Sequence, residues 1–520
     1  MKDDEWAQNI IKDWDVKGML SKESIIARLD KEIQNSYAIR EEEEAALKGT
    51  FESICSEEGL LTETTLISIL QRKANLPRSP DGIEAGKVIY ASLAPPSTKS
   101  PPGLSLAELT RSLVWALPGR YASIIEEGSH SRVRTKADHR RLLFQSLAST
   151  NHNKQYDPES ARRLALFNAF DVDRGDNHEF CSSNHDDDGD EIYHDLLDVL
   201  YSTQEVRHPG LSRVARDAFR GVAKHMASEN EMPSLYTIGI PTDRFISLVK
   251  LLLALQFKPT EANMDLTGFE TAAKSVCAAF CEEKNQVITW PMFDSALRDT
   301  VPYLFDPFYY MLSTTFLGTT GLFDVLDRPE VTNTSGGILK PALFSQLATF
   351  LSGGVYFGSL RRIHRCTGPT RTSPTEFVGA MESVPDEAIM VLSGTTSAGE
   401  SCIFGVFSPK PRADGASVQP NDIPGHVGQE PCSVFQLAPV QDIFRGAIGK
   451  PGWTVDNDTV IFGQGGGVIL GLKDGLRQVH VTHEVHKGDE RTGVYRSNPW
   501  RGSWEVDFEI SEMEIWSEQE

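Results

Sequence analysis

The sequence predicts an α+β protein: an α-helical, EF-hand-like N-terminal region followed by a C-terminal antiparallel β-sandwich flanked by helices. Three observations carry this. Apolar residues recur at spacings of three and four over roughly the first 310 residues, the period of helices that bury one face. Beyond about residue 385 the period falls to two, and glycines separate short apolar runs, as the strands of a sandwich require. At 520 residues the chain is also too long for one hydrophobic core and must divide. The expected pieces are a helical subdomain over 1–95, a helical EF-hand-like region over 103–310 with an acidic loop at 171–190, and a β-rich domain over 336–520.

Taken in order, AALKGTFESIC and TTLISILQRKANL flank the short turn SEEGLL between Glu42 and Leu76, a helix-loop-helix. PRSPDG and PPSTKSPPG then place connectors near 77–82 and 95–103. Asp157-Pro158-Glu159 combines a capping carboxylate, a proline at the first helical position and an acid in the first turn, so a helix is expected through RRLALFNAF. The stretch Thr242 to Phe257 is apolar on nearly every side, which marks a helix inside a core. A second helix-loop-helix spans Thr271 to Tyr303, with its turn at Glu282 to Val287. Neither turn offers alternating Asp or Asn ligands, so both units read as structural. Strands are expected at EAIMVLSG, SCIFGVFS, CSVFQLAP, DTVIFG, GVILGLKD, QVHVTHEV and WEVDFEISEMEIW. In the last, Trp504, Val506, Phe508 and Ile510 share one face while Met513 and Ile515 follow in the opposite phase, so a bulge is required near Ser511 and Glu512.

Composition excludes several classes of function. A formal charge of −22 repels phosphate backbones, so nucleic acid is not an expected partner. Residues 336–520 alone hold 15 basic against 22 acidic side chains, and no basic reader domain hides at the C-terminus. The start MKDDEWAQNI has neither a secretory pattern nor a myristoylation glycine, and the most apolar helix-length stretch, Phe245 to Phe257, is 13 residues long and contains Lys250. No direct membrane insertion is expected; the chain reads as cytoplasmic, reaching a membrane only through a protein partner. Seven cysteines without a C-x-x-C pair read as reduced, packed thiols.

The C-terminal strands carry a resemblance. Ile403-Phe404-Gly405, Phe435-Gln436-Leu437-Ala438-Pro439, the run Phe462 to Gly467, and Glu514-Ile515-Trp516 appear in the order in which the TLDc family places a short I-F-G strand, an F-x-L-x-P strand, a glycine run and a terminal E-x-W. The upstream ILKPALFSQLATFLSG is similar to the lead-in helix of fungal TLDc proteins related to restriction of telomere capping. An animal lysosomal relative likewise places EF-hand-like helices before the domain. The family's S-S-x-x-G-x-S-F segment is replaced by FGSLRRIHRCTGPTRTSPTEF, which retains only Ser359 and Phe377. The resemblance implies a non-enzymatic adaptor that binds peripheral subunits of the vacuolar proton-pumping ATPase (V-ATPase) and controls its assembly, promoting disassembly, with recruitment from the cytoplasm to the vacuole or lysosome. It also implies an alternative, an oxidative-stress resistance protein with weak enzymatic activity.

The candidate site residues follow from local pattern. Glu514 and Trp516, set in phase by the bulge on the face opposite Met513 and Ile515, are expected at a partner surface, together with the turn formed by Gly463, Gly465, Gly466 and Gly467. That glycine run is not a phosphate cradle, because Val468 stands where a third fingerprint glycine belongs and a strand follows. His480, His483 and His486 do not form a zinc site, since a strand sends His483 to the opposite face. Asn184, Asp186, Asp188 and Asp195 hold positions 1, 3, 5 and 12 of a calcium loop, leaving a calcium-responsive scaffold as a further reading; the alternative is a solvated acidic loop capping the next helix. Apart from that ion no cofactor is expected. No nucleophile has an evident base, so no catalytic residue is assigned.

Overall fold

The computed structural model describes residues 2–94, 103–125, 136–151, 192–204, 213–229, 235–258, 265–281, 286–318, 336–352, 355–367, 387–409, 432–446, 452–456, 459–485 and 493–519, with a few isolated residues between them. The chain gathers into two compact units rather than three. The first comprises residues 1–245, 285–294 and 308–325; the second comprises 246–284, 295–307 and 326–520.

In the first unit the helix-loop-helix between Glu42 and Leu76 is present as helices Glu41–Glu52 and Glu63–Lys73. Thr62 caps the second helix by accepting a hydrogen bond from the Thr65 amide. A second pair, Pro80–Leu93 and Leu106–Ala116, lies against it, and Leu61 and Leu104 exchange two backbone hydrogen bonds between the loops. Glu43 is buried here between Arg40 and Arg120. Burial pushes its pKa up, but the hydrogen bonds from both guanidinium groups outweigh that and hold the carboxyl well below its usual range. Short strands β1 (Thr150–Asn151), β2 (Ile238–Pro241) and β3 (Val287–Ile288) pair antiparallel in that order. The helix expected after Asp157 lies outside the described residues.

The second unit is built on antiparallel strands: β4 (Leu360–Thr367), β5 (Ala388–Thr396), β6 (Ser401–Ser408), β7 (Ser433–Ala438), β8 (Asp442–Arg445), β9 (Trp453–Asp456), β10 (Thr459–Phe462), β11 (Val468–Lys473), β12 (Gln478–His483) and β13 (Trp504–Glu518). Their order is β8-β7-β6-β5-β13-β12-β11-β10-β9, with β4 also paired to β13. All seven expected strands are present. Strand β4 occupies the stretch where the family segment is missing, and its basic, mixed pattern hid it.

β13 joins the two halves of the sandwich. Its first half pairs with β12 and its second half with β4, while β5 follows it along most of its length. Ser511 is the extra residue: Ile510 faces Gly394, yet Glu512 faces Ser393. The bulge keeps one inner face continuous, so Phe508, Met513 and Ile515 enter the same apolar cluster as Phe404, Val434, Val460, Leu470 and Val481. On the other face of β5 to β8 the helix Pro341–Leu351 packs Phe344, Leu347 and Phe350 against Ile389, Val391, Phe435 and Trp516. The core helix expected over Thr242 to Phe257 is observed as Thr242–Ala254, and Phe257, three residues past its end, joins that second cluster. Lys250 of that helix pairs with Glu270.

Candidate functional site

The terminal E-x-W does not present a surface, which corrects the expectation for Glu514 and Trp516. Both side chains do point away from Met513 and Ile515, but that face is covered by the Pro341–Leu351 helix and its lead-in, and the two residues are 0% and 1% exposed. Glu514 Oε1 accepts from Arg362 at 2.9 Å, and Oε2 accepts from the Leu339 amide at 3.2 Å and the Trp516 indole N–H at 3.0 Å. Arg362 also donates to the Gly336 carbonyl and lies 5.8 Å from the Trp516 ring centroid. Trp516 meets Phe344 edge to face at 5.0 Å. A Cβ at Gly337 would come within 2.0 Å of Glu514 Oε1, so the lead-in fits only because no side chain is there. These residues lock the helix to the sheet; alternation along a strand says which face a residue takes, but not what covers that face.

The glycine run is a surface turn, and its geometry explains its composition. Gly463, Gly465, Gly466 and Gly467 all have positive φ, between 73° and 97°, a region costly for residues with a Cβ. Segment 493–498 lies directly over it: a Cβ on Gly467 would sit 2.1 Å from the Tyr495 carbonyl, and one on Gly493 would sit 2.1 Å from that of Gly466. Val494 donates to the Gln464 carbonyl, and the Tyr495 hydroxyl donates to that of Gly452 at 2.9 Å. Gln464 and Gly465 remain exposed.

Beside this turn the 493–503 segment is anchored by a buried polar cluster that local pattern could not reveal. Asp442, fully buried, accepts from Asn498 and Arg501 at 3.2 Å each, and Arg501 also donates to Gln436 at 2.8 Å. Burial pushes the Asp442 pKa up, while Arg501 and the hydrogen bonds act in the opposite direction. His483 donates from Nδ1 to the Gly502 carbonyl and accepts at Nε2 from the Asn498 amide, both at 2.8 Å, which fixes one neutral tautomer. Burial holds its pKa below the ordinary imidazole value, and its ring stacks on Trp504 at 5.1 Å. Arg501 covers Trp504 at 4.8 Å. The cluster leaves Trp500, in the turn Pro499–Arg501, 41% exposed. A signal existed in the sequence, the Asn498-Pro499-Trp500-Arg501 turn, but its partners lie up to 65 positions away.

His480 and His483 separate as strand geometry requires, His480 facing outward beside Asp507 and His483 buried, while His486 lies outside the described residues. Of the calcium-loop candidates, Asn184, Asp186 and Asp188 also lie outside them. Asp195 sits in the first turn of the helix Ile192–Ser202 and is held by Arg141 through both oxygens, at 2.5 and 2.8 Å. An ion recruiting Asp195 would compete with that buried guanidinium.

These features define a class: a helix-rich chain ending in a helix-covered, bulged antiparallel sandwich. Residues 332–519 match the TLDc domain family model, and this part of the chain is a TLDc domain. The chain as a whole is similar to fungal proteins named Restriction of telomere capping protein 5. It is 22% identical to that of Aspergillus flavus over 455 residues, covering 76% of this chain and 68% of the relative. With the Neurospora crassa protein the identity is 23% over 457 residues, covering 77% and 68%. With the Fusarium vanettenii protein it is 22% over 545 aligned positions, covering 91% and 84%, so the similarity extends into the helical region.

Proposed function

We propose that this chain is a non-catalytic adaptor that docks through its TLDc domain on peripheral subunits of the V-ATPase and favours disassembly of the pump. The observation that carries the reading is the TLDc domain at residues 332–519. The relatives' name, which describes a restriction rather than a reaction, agrees with a regulatory role. No helix among the described residues is long and apolar enough to cross a membrane, which fits recruitment to the vacuole through the partner. The docking surface in this reading is the Gly463–Gly467 turn with exposed Gln464 and Trp500, on a rigid base of buried hydrogen bonds; it replaces Glu514 and Trp516. The oxidative-stress alternative gains little from Cys402 and Cys432, since burial pushes both up and lowers their thiolate content.

The test is capture of purified V-ATPase peripheral sector by the full chain. Stoichiometric binding is expected. Trp500→Ala should weaken it by about 2 kcal/mol, roughly thirtyfold, without moving the melting temperature, because exposed aromatic anchors concentrate interface energy. A wild-type chain that captures no peripheral sector sinks the proposal; full capture by the variant relocates the surface.

A further inference from the structure

We infer that the outer face of β12 and β13 carries a surface site for a zinc-class divalent cation, formed by His480, Asp507 and Glu505. One ligand atom from each of the three lies within 4.8 Å of the others. His480 stands directly opposite Asp507 in the antiparallel register, and Glu505 lies opposite Thr482, the next outward position. The His480 Nδ1 to Asp507 Oδ1 distance is 2.8 Å, so an ion there replaces the proton the two atoms share. Zinc holds nitrogen and oxygen ligands at about 2.1 Å, which sets neighbouring donors roughly 3.4 Å apart in a tetrahedral site. Rotation of two exposed carboxylates closes that gap.

The surroundings concentrate negative charge on this face. Glu505, Asp507 and Glu509 occupy every second position on the exposed face of β13, where like charges ~7 Å apart repel. Their cross-strand neighbours are Thr482, His480 and Gln478 on one side and, for Glu509, Thr395 on the other. His480 is therefore the only one of these neighbours able to carry charge, and an imidazole bears at most one. On the far side of His480 the register places Gly471, whose φ is ordinary and whose missing Cβ would meet nothing closer than 3.8 Å. Packing does not require glycine there; the Lys473 side chain lies over it, its Cε 3.9 Å from where a Cβ would stand. Lys473, two residues along β11 opposite Gln478, is the basic group next along this face. One imidazole with two carboxylates suits zinc, iron or manganese better than calcium, whose ligands are all oxygen. The remaining coordination positions face solvent.

Zinc titration of the full, chelator-treated chain tests the assignment by calorimetry and by competition with a chromophoric chelator. A saturable site is expected, weakened about tenfold or more by each of His480→Asn, Asp507→Asn and Glu505→Gln, in line with the cost of disturbing a ligand set. His364→Asn, on β4, should leave the isotherm unchanged. All four positions are at least partly exposed, and circular dichroism should show every variant folded. Absence of saturable zinc binding, zinc binding that the three ligand variants retain, or saturation by calcium but not zinc each overturns the assignment.

Discussion

At residue scale the second unit is held by polar groups in apolar surroundings, and their cost depends on complete pairing. Glu514 has three donors on its two oxygens, and Arg362 joins it to the Gly336 carbonyl and the Trp516 ring. Buried ion pairs add little net stability over an apolar replacement, yet removing one partner leaves an uncompensated charge costing about 3–5 kcal/mol. Glu514→Lys, which sets a second cation beside Arg362, should therefore unfold the domain or lower its melting temperature by more than ten degrees. Trp516→Ala should cost about 3–5 kcal/mol through loss of its contact with Phe344 and the cavity left behind. Thermal melts followed by circular dichroism check both; a Trp516→Ala variant as stable as the parent would mean that the indole is not part of the core.

The elements follow local rules where a rule has one solution. The phase change between Ile510 and Met513 can be absorbed only by an extra residue, and Ser511 is that residue. The glycine run could be recognised as a turn because glycines interrupt a strand and a strand, Val468-Ile469-Leu470, follows at once. Which glycine matters most is set by the segment above it. Gly467→Ala combines a φ of +73° with a Cβ 2.1 Å from the Tyr495 carbonyl, so it should cost about 2–4 kcal/mol, more than the strain of positive φ alone. Gly502→Ala, with φ of +63° and ψ of −175° in a region essentially confined to glycine but open space around the added methyl, should cost about 1–3 kcal/mol through backbone strain alone. Urea unfolding of the two variants separates packing from strain; equal midpoints would show that the 493–498 segment yields. Strand β4 shows where local rules stop. Its Arg361, Arg362, His364 and Arg365 give no alternating apolar pattern, and pairing with the acidic end of β13 makes them a strand, with Arg362 on Glu514 and Arg365 on Glu512.

For the whole molecule, the boundary expected at residue 336 is not where the second unit begins. Segments 246–284 and 295–307 belong to it. Phe257 packs against Phe344 and Phe357 at 6.4 and 5.7 Å, the Ser275 carbonyl accepts from the Gln441 amide, and the Thr349 carbonyl accepts from the Tyr303 amide. A fragment of residues 336–520 thus loses part of its own core, and one burying aromatic alone is worth about 3–5 kcal/mol. Residues 242–520 should melt at least several degrees higher than 336–520, measured side by side by circular dichroism. Equal melting temperatures would show that the sandwich is self-sufficient and that the upstream helices only rest on it.

The sequence by itself determined the class of fold, the seven principal strands, the bulge, the turn nature of the glycine run and the separation of His480 from His483. Each of these depends on periodicity or on the conformations glycine allows, properties local to a few residues. Only the tertiary structure decided that Glu514 and Trp516 are covered, that Asp442, Asn498 and Arg501 converge, and that Asp507 and Glu505 stand beside His480. The reason is physical: alternation along a strand fixes the side a residue takes, whereas exposure and chemistry depend on what another part of the chain, 25 to 175 positions away, lays against that side.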